Sequence, residues 1–200
     1  MTDNPYLSGN FAPVEEEVTS LGLSVTGQIP NDLRGRLLRI GPNPIEADPA
    51  SHHWFLGTGM VHGLRLRDGR AEWYRNRYVR DDDVVRIRGG KPVAGPKPFL
   101  GSGVANTNVI RHAGRIFAII EAGNSPVELT DELETVCRSD FDGTLPAGFT
   151  AHPKRDPDTG ELHAAVYSPN WEHIQYVVVA ANGRVRKVVD VPVQGRPMVH

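Results

Sequence analysis

Apolar and polar positions alternate in short runs along most of the chain, and turn residues separate the runs. Alternation with a period of two marks a half-buried strand. One such pair is Val61 to Arg67 and Arg70 to Tyr78, joined by Asp68-Gly69. Asp-Gly between alternating segments is a strong short-range signal for a hairpin with a mirror-image turn. A second hairpin is expected over Asn108 to Arg111 and Arg115 to Glu121, turning near Ala113-Gly114. A third joins Leu162–Tyr167 to His173–Ala180, and a fourth joins Tyr176–Ala181 to Arg184–Val191 through Asn182-Gly183. The valines around Asn182-Gly183 predict a type I′ turn there. Leu37 to Ile40 reads as a short strand inside an otherwise loop-like stretch, and residues 1–30 read as an irregular lead-in.

No stretch carries a capped apolar stripe of period 3.6. The best helical candidate, Asp131 to Val136, is too short to matter, and Asp81-Asp82-Asp83 reads as a solvated turn. Successive hairpins with irregular loops predict an all-β sandwich, barrel or propeller.

Composition agrees. The chain has 21 glycines and 16 prolines in 200 residues, about 18% against a usual ~12%. Such a length can bury a sizeable core without a disulfide framework. The formal charge of -2 argues against a nucleic-acid footprint. Cys137 is the single cysteine, so an internal disulfide or a cysteine zinc site is excluded. The first 18 residues lack the basic and apolar regions of a secretory signal, and no apolar run approaches the ~18 residues that span a bilayer. A cytoplasmic protein is therefore expected.

The common catalytic signatures are absent. There is no phosphate loop and no GxSxG elbow, and Gly57-Thr58-Gly59-Met60 lacks the following helix that a phosphate cradle needs. Cys137 has no neighbouring base, which argues against a catalytic thiol. Eight histidines are spread over the chain with no HExxH or HxxxH pair. Each alone reads as a hydrogen-bonded or surface residue.

Five longer segments carry more. They are Gly35-Arg36-Leu37-Leu38-Arg39-Ile40-Gly41-Pro42-Asn43-Pro44; His53-Trp54-Phe55-Leu56-Gly57-Thr58-Gly59-Met60-Val61-His62-Gly63, continuing to Asn76-Arg77-Tyr78-Val79-Arg80; and Ala105-Asn106-Thr107-Asn108. The fourth runs from Glu121 through Leu133-Glu134-Thr135 to Phe149-Thr150-Ala151-His152-Pro153-Lys154 and then Asp156 to Leu162, and the fifth is Pro197-Met198-Val199-His200. In this order they resemble the carotenoid cleavage oxygenase family, which includes the lignostilbene dioxygenases and the retinoid isomerohydrolase. Thr58 stands where that family usually has Asp.

The resemblance implies a seven-bladed β-propeller whose axis holds one Fe(II) on four histidines. Two of those positions match here, His152 and His200, and the other two lie beyond residue 200 in the family. Glu121 matches a glutamate that orients a ligand histidine. Family chains are much longer, so residues 1–200 are expected to be the N-terminal part of such a propeller, unstable and inactive by themselves. The implied reaction adds O2 across a carbon–carbon double bond of a carotenoid, apocarotenoid or stilbene-like substrate and yields two carbonyl products. Isomerase chemistry on a retinoid ester occurs on the same fold. An enzyme for such apolar molecules often needs a hydrophobic entrance patch, which the residues do not place, and peripheral membrane contact stays open. The alternative is a non-catalytic β-rich binding module or an inactive fragment. His53 and His62 are expected to hydrogen-bond within their turn. Trp54, Phe55 and Trp171 are expected in a core more readily than along a substrate tunnel.

Overall fold

The computed structural model describes residues 4–199. Its strands form three four-stranded antiparallel sheets. The first has the order β1 (Thr19–Leu21), β4 (Arg70–Val79), β3 (Gly59–Arg67), β2 (Gly35–Pro42). The second runs β5 (Asn108–His112), β6 (Arg115–Ile119), β7 (Val127–Leu129), β8 (Thr135–Arg138). The third runs β12 (Val185–Pro192), β11 (His173–Val179), β10 (Leu162–Val166), β9 (Lys154–Arg155).

Turn chemistry accounts for most of this register. Asp68 and Gly69 sit at φ 49 and 72, and Ala113 and Gly114 at φ 49 and 79. Two successive positive φ values make the mirror-image turn whose twist suits a hairpin. The Asn182-Gly183 turn differs from expectation. Gly183 alone takes a positive φ there, 87, and Ala180 N–H donates to the Arg184 carbonyl across a longer loop. The register shift at Val178/Val179 absorbs the extra residue as a bulge.

The sheets pack face to face, and alternation along β6 shows how. Ile116 and Ala118 point to the first sheet, into a core with Val61, Trp73, Val79 and Leu129. Phe117 and Ile119 point to the third, into a core with Phe149, Leu162, Val166, Val177 and Val179. Both faces of the middle sheet are thus covered. The outer faces of the end sheets are less so: Leu37 is 62% exposed on the first, and Val189 and Val191 lie exposed on the third. Four-stranded meanders stacked in this way are blades of a β-propeller, and the all-β expectation holds.

The acidic run is not a solvated turn. Asp81 is fully buried and its Oδ1 accepts from Val84 N–H, capping a helix, α1 (Asp82–Arg88). The capping signals were present in the sequence: Asp at the cap, acids in the first turn, Arg86 and Arg88 in the last, and Gly89 after it. The best helical candidate of the sequence, 131–136, which is too short to matter, is a turn leading into β8. The lead-in is extended and strapped down by side chains. Asn43 exchanges hydrogen bonds with both backbone groups of Val14, and Asn76 accepts from Val18 N–H and donates to the Glu16 carbonyl.

Candidate functional site

The site forms where β6 ends and where the segment before β9 crosses it. β6 is buried along nearly its whole length, so its direction is fixed by packing on both faces. Glu121 follows two residues after its last residue, Ile119. The approaching segment, Phe149-Thr150-Ala151, is equally buried. It is fastened at Phe149, whose N–H donates to the Asn124 carbonyl, and at Ala151, whose carbonyl accepts from Asn108 Nδ2 at 2.9 Å. The Asn124 carboxamide in turn bonds both backbone groups of Leu100.

These fastenings bring Glu121 Oε1 to 3.0 Å from His152 Nε2. The Glu121 side chain is 16% exposed and the imidazole 38%. Both Glu121 carboxylate oxygens are shielded from solvent, and neither has a protein hydrogen-bond partner of good geometry among the described residues, so the approach of Oε1 to His152 is a close contact at ion-pair distance. Tyr167 lies close by at the end of β10. Burial pushes its phenol pKa up, and the Glu121 charge adds to that. A shielded carboxylate beside a part-exposed imidazole is the arrangement in which an acid orients a ligand histidine.

His152 and Glu121, named from the sequence, are therefore together. His200, the other expected ligand, lies outside the described residues. Among the described residues no group of three or more His, Cys, Asp or Glu side chains converges as a metal cage.

The remaining histidines have other work. His53 Nδ1 accepts from Phe55 N–H within its turn, as expected. His62 lies instead in β3 and bonds the Tyr74 hydroxyl across the sheet at 2.8 Å. His163 repeats that arrangement with Tyr176 at 2.6 Å. His112 is buried, and its Nε2 bonds the Ala180 carbonyl at 2.8 Å. Trp171 packs on the core between the second and third sheets. Trp54 and Phe55 do not join a core: they are 45% and 67% exposed and stack on each other beside Tyr6 and Phe11. Among the described residues no helix is long and apolar enough to cross a membrane.

Asn108 and Asn124, which fasten the segment before His152, were not singled out from the sequence. Asn108 sits in one of the quoted segments, but only the fold shows what it holds.

Stacked four-stranded antiparallel sheets with a carboxylate–histidine contact at the end of a strand define the architecture of a β-propeller protein. The chain belongs to the family described as RPE65, retinal pigment epithelial membrane protein, whose model matches residues 11–200. It is 55% identical over 203 residues to the carotenoid cleavage oxygenase of Mycobacterium tuberculosis strain H37Rv, covering 100% of this chain and 40% of that protein. It is 34% identical to the carotenoid 9,10(9′,10′)-cleavage dioxygenase of Crocus sativus, covering 98% of this chain and 41% of that one. Among solved structures, the lignostilbene dioxygenase of Pseudomonas brassicacearum superposes with a TM-score of 0.84 at 29% identity, over 98% of this chain and 44% of that one. A cobalt-substituted apocarotenoid oxygenase of Synechocystis gives 0.73 at 27%, over 92% and 44%. The chain thus spans about two fifths of the length of the curated relatives it matches.

Proposed function

We propose that the complete polypeptide containing this chain is a non-haem Fe(II)-dependent dioxygenase. It cleaves a carbon–carbon double bond of a carotenoid, apocarotenoid or stilbene-like substrate with O2 and releases two carbonyl products. The observation that carries this reading is the Glu121–His152 contact of 3.0 Å, in a chain matched by the family over residues 11–200. The names of the relatives, which cleave carotenoids and stilbenes, support the substrate class.

The residues fit an iron site. Imidazole is a good ligand for Fe(II), and a ligating histidine usually gives its second N–H to a carboxylate. The shielded Glu121 carboxylate, with Oε1 3.0 Å from Nε2 and no protein hydrogen bond on either oxygen among the described residues, supports that role. With the metal bound, a carboxylate at this distance from Nε2 would orient the ring by accepting its N–H. His152 and His200 would hold the metal together with two histidines from outside the chain. Bound iron supplies the activation of O2 for addition to the alkene. Neutral ligands leave the metal its full positive charge, whereas the more familiar site of two histidines and a carboxylate offsets part of it.

By itself the 200-residue chain supplies at most half of this ligand set, and we assign the activity to the complete polypeptide only. The test is oxygen-dependent cleavage of an apocarotenoid and of a hydroxystilbene by the complete protein. Carbonyl products that require both iron and O2, and disappear in His152→Ala, are expected. Cleavage that survives His152→Ala or iron removal would overturn the reading.

A further inference from the structure

We infer that Asn108 is a positioning residue for the Glu121–His152 pair. It is a strut that fixes the separation of the strand end that leads to Glu121 and the segment that leads to His152, at the point nearest the histidine. The inference rests on the reading of His152 as a metal ligand and adds to it a residue with no metal-binding chemistry of its own.

Three observations place it. Asn108 opens β5 and pairs directly with Ile119 at the end of β6, two residues before Glu121. The neighbouring Thr107 N–H donates to the Ile119 carbonyl, so this end of the ladder is closed. From that fixed position the Asn108 carboxamide spans 43 residues of sequence to donate to the Ala151 carbonyl at 2.9 Å, one residue before His152. One side chain therefore connects the strand that carries the acid to the segment that carries the base. Its Oδ1 accepts from Val109 N–H at 2.8 Å, which sets the carboxamide orientation and points the NH2 at Ala151. On the far side of Glu121, the Asn124 carbonyl takes Phe149 N–H. The segment before His152 is thus held at two points, and the point nearer the histidine depends on a side chain.

A backbone carbonyl that loses a buried donor shifts to find another. Loss of the Asn108 carboxamide frees Ala151, and with it the imidazole, to move from the carboxylate. Positioning of this kind acts on metal retention through geometry, because ligand orientation is set by the partners around the ligand.

The test uses the complete polypeptide, stripped of metal and labelled with 15N-histidine. The Nε2 nitrogen shift of His152 is read through the ring C–H protons at one fixed pH of about 8.5, two units above the ordinary imidazole value. The His152 signal is assigned by its loss in His152→Ala, and Glu121→Ala gives the shift of the ring without its carboxylate. Asn108→Ala is expected to move the His152 Nε2 shift from the wild-type value to that of Glu121→Ala. Asn108→Ser retains a hydroxyl to accept from Val109 but cannot reach Ala151, and is expected to do the same. Asn76→Ala, which removes buried hydrogen bonds in the first sheet, leaves the shift at the wild-type value. A folded Asn108→Ala or Asn108→Ser protein with the wild-type shift would overturn the inference while leaving the metal reading intact. A wild-type shift unaffected by Glu121→Ala would overturn the Glu121–His152 pairing itself.

Discussion

Gly148 lies so close to Gly123 that a Cβ added to Gly148 would stand 1.4 Å from the Gly123 carbonyl oxygen. The contact presses the segment leading to His152 against the segment following Glu121, so the pair depends on a position with no side chain. A methyl group there must push the two segments apart. Gly148→Ala is expected to destabilise the protein by about 1–3 kcal/mol, the usual cost of overpacking, and to lower metal retention by the complete polypeptide. Urea unfolding and metal analysis of the same variant check both.

Glu121→Gln keeps the size of the acid and removes its charge. If Glu121 orients His152 as an outer partner, the variant of the complete enzyme loses about ten- to a hundredfold in iron affinity or turnover. Unchanged iron occupancy and turnover would remove Glu121 from the site.

His112 joins the second and third sheets through a tautomer that the structure fixes. Its Nε2–H donates to the Ala180 carbonyl, and its Nδ1 accepts from Arg155 at 3.3 Å. Burial holds its pKa below the ordinary value, and nearby Arg155 and Arg115 act in the same direction against the Ala180 bond. The native state therefore prefers neutral His112, and the unfolded chain takes up the proton at higher pH. The resulting stability is complete above about pH 6.5 and is lost as pH falls through the lowered native pKa. Denaturant midpoints measured from about pH 8 to 5 should fall more steeply for wild type than for His112→Gln.

Asp81 has the opposite sign. Burial raises its pKa from 3.8 to about 6, despite the hydrogen bond from Val84 N–H. The native state prefers the protonated acid, so this contribution is complete below about pH 4 and is lost as pH rises through about 6. Asp81→Asn keeps a good helix cap and removes the charge. It should stabilise the protein above about pH 7, by up to roughly 3 kcal/mol at about 1.4 kcal/mol per pKa unit, and should have little effect near pH 4. Equal effects at both pH values would show that the carboxylate is not strained by burial.

The end sheets give the chain two incompletely covered faces, with Leu37 exposed on one and Val189 and Val191 on the other. Uncovered sheet faces and edges favour association. The 200-residue chain expressed alone is expected to associate or to melt without a sharp transition. A cooperative thermal transition in the soluble monomer would contradict this.

Local chemistry was legible in the sequence where it was strong. Asp68-Gly69 and Ala113-Gly114 announced their hairpins because positive φ at two successive residues has few sequence solutions. Asn182-Gly183 announced a turn but not its type, because a bulge in the neighbouring ladder decided the loop length. Helix α1 was passed over because seven residues give no periodicity to detect, although Asp81 and Gly89 marked its ends. Phe141 shows what local preference cannot reveal. It holds φ 51, unfavourable for a bulky residue, and is kept there by burial edge-on against Phe117 and Phe149. Glu121 and His152 were visible only through the family resemblance, since no short spacing links them. The Asn108 bond to Ala151 was not visible at all, because it is made by tertiary packing alone.

The most direct measurement is the iron content of the complete polypeptide, beside His152→Ala and His200→Ala. The account predicts one iron per wild-type chain and its loss in both variants, with folding retained. Full iron in either variant, or an iron-free wild type that still cleaves its substrate, would contradict it.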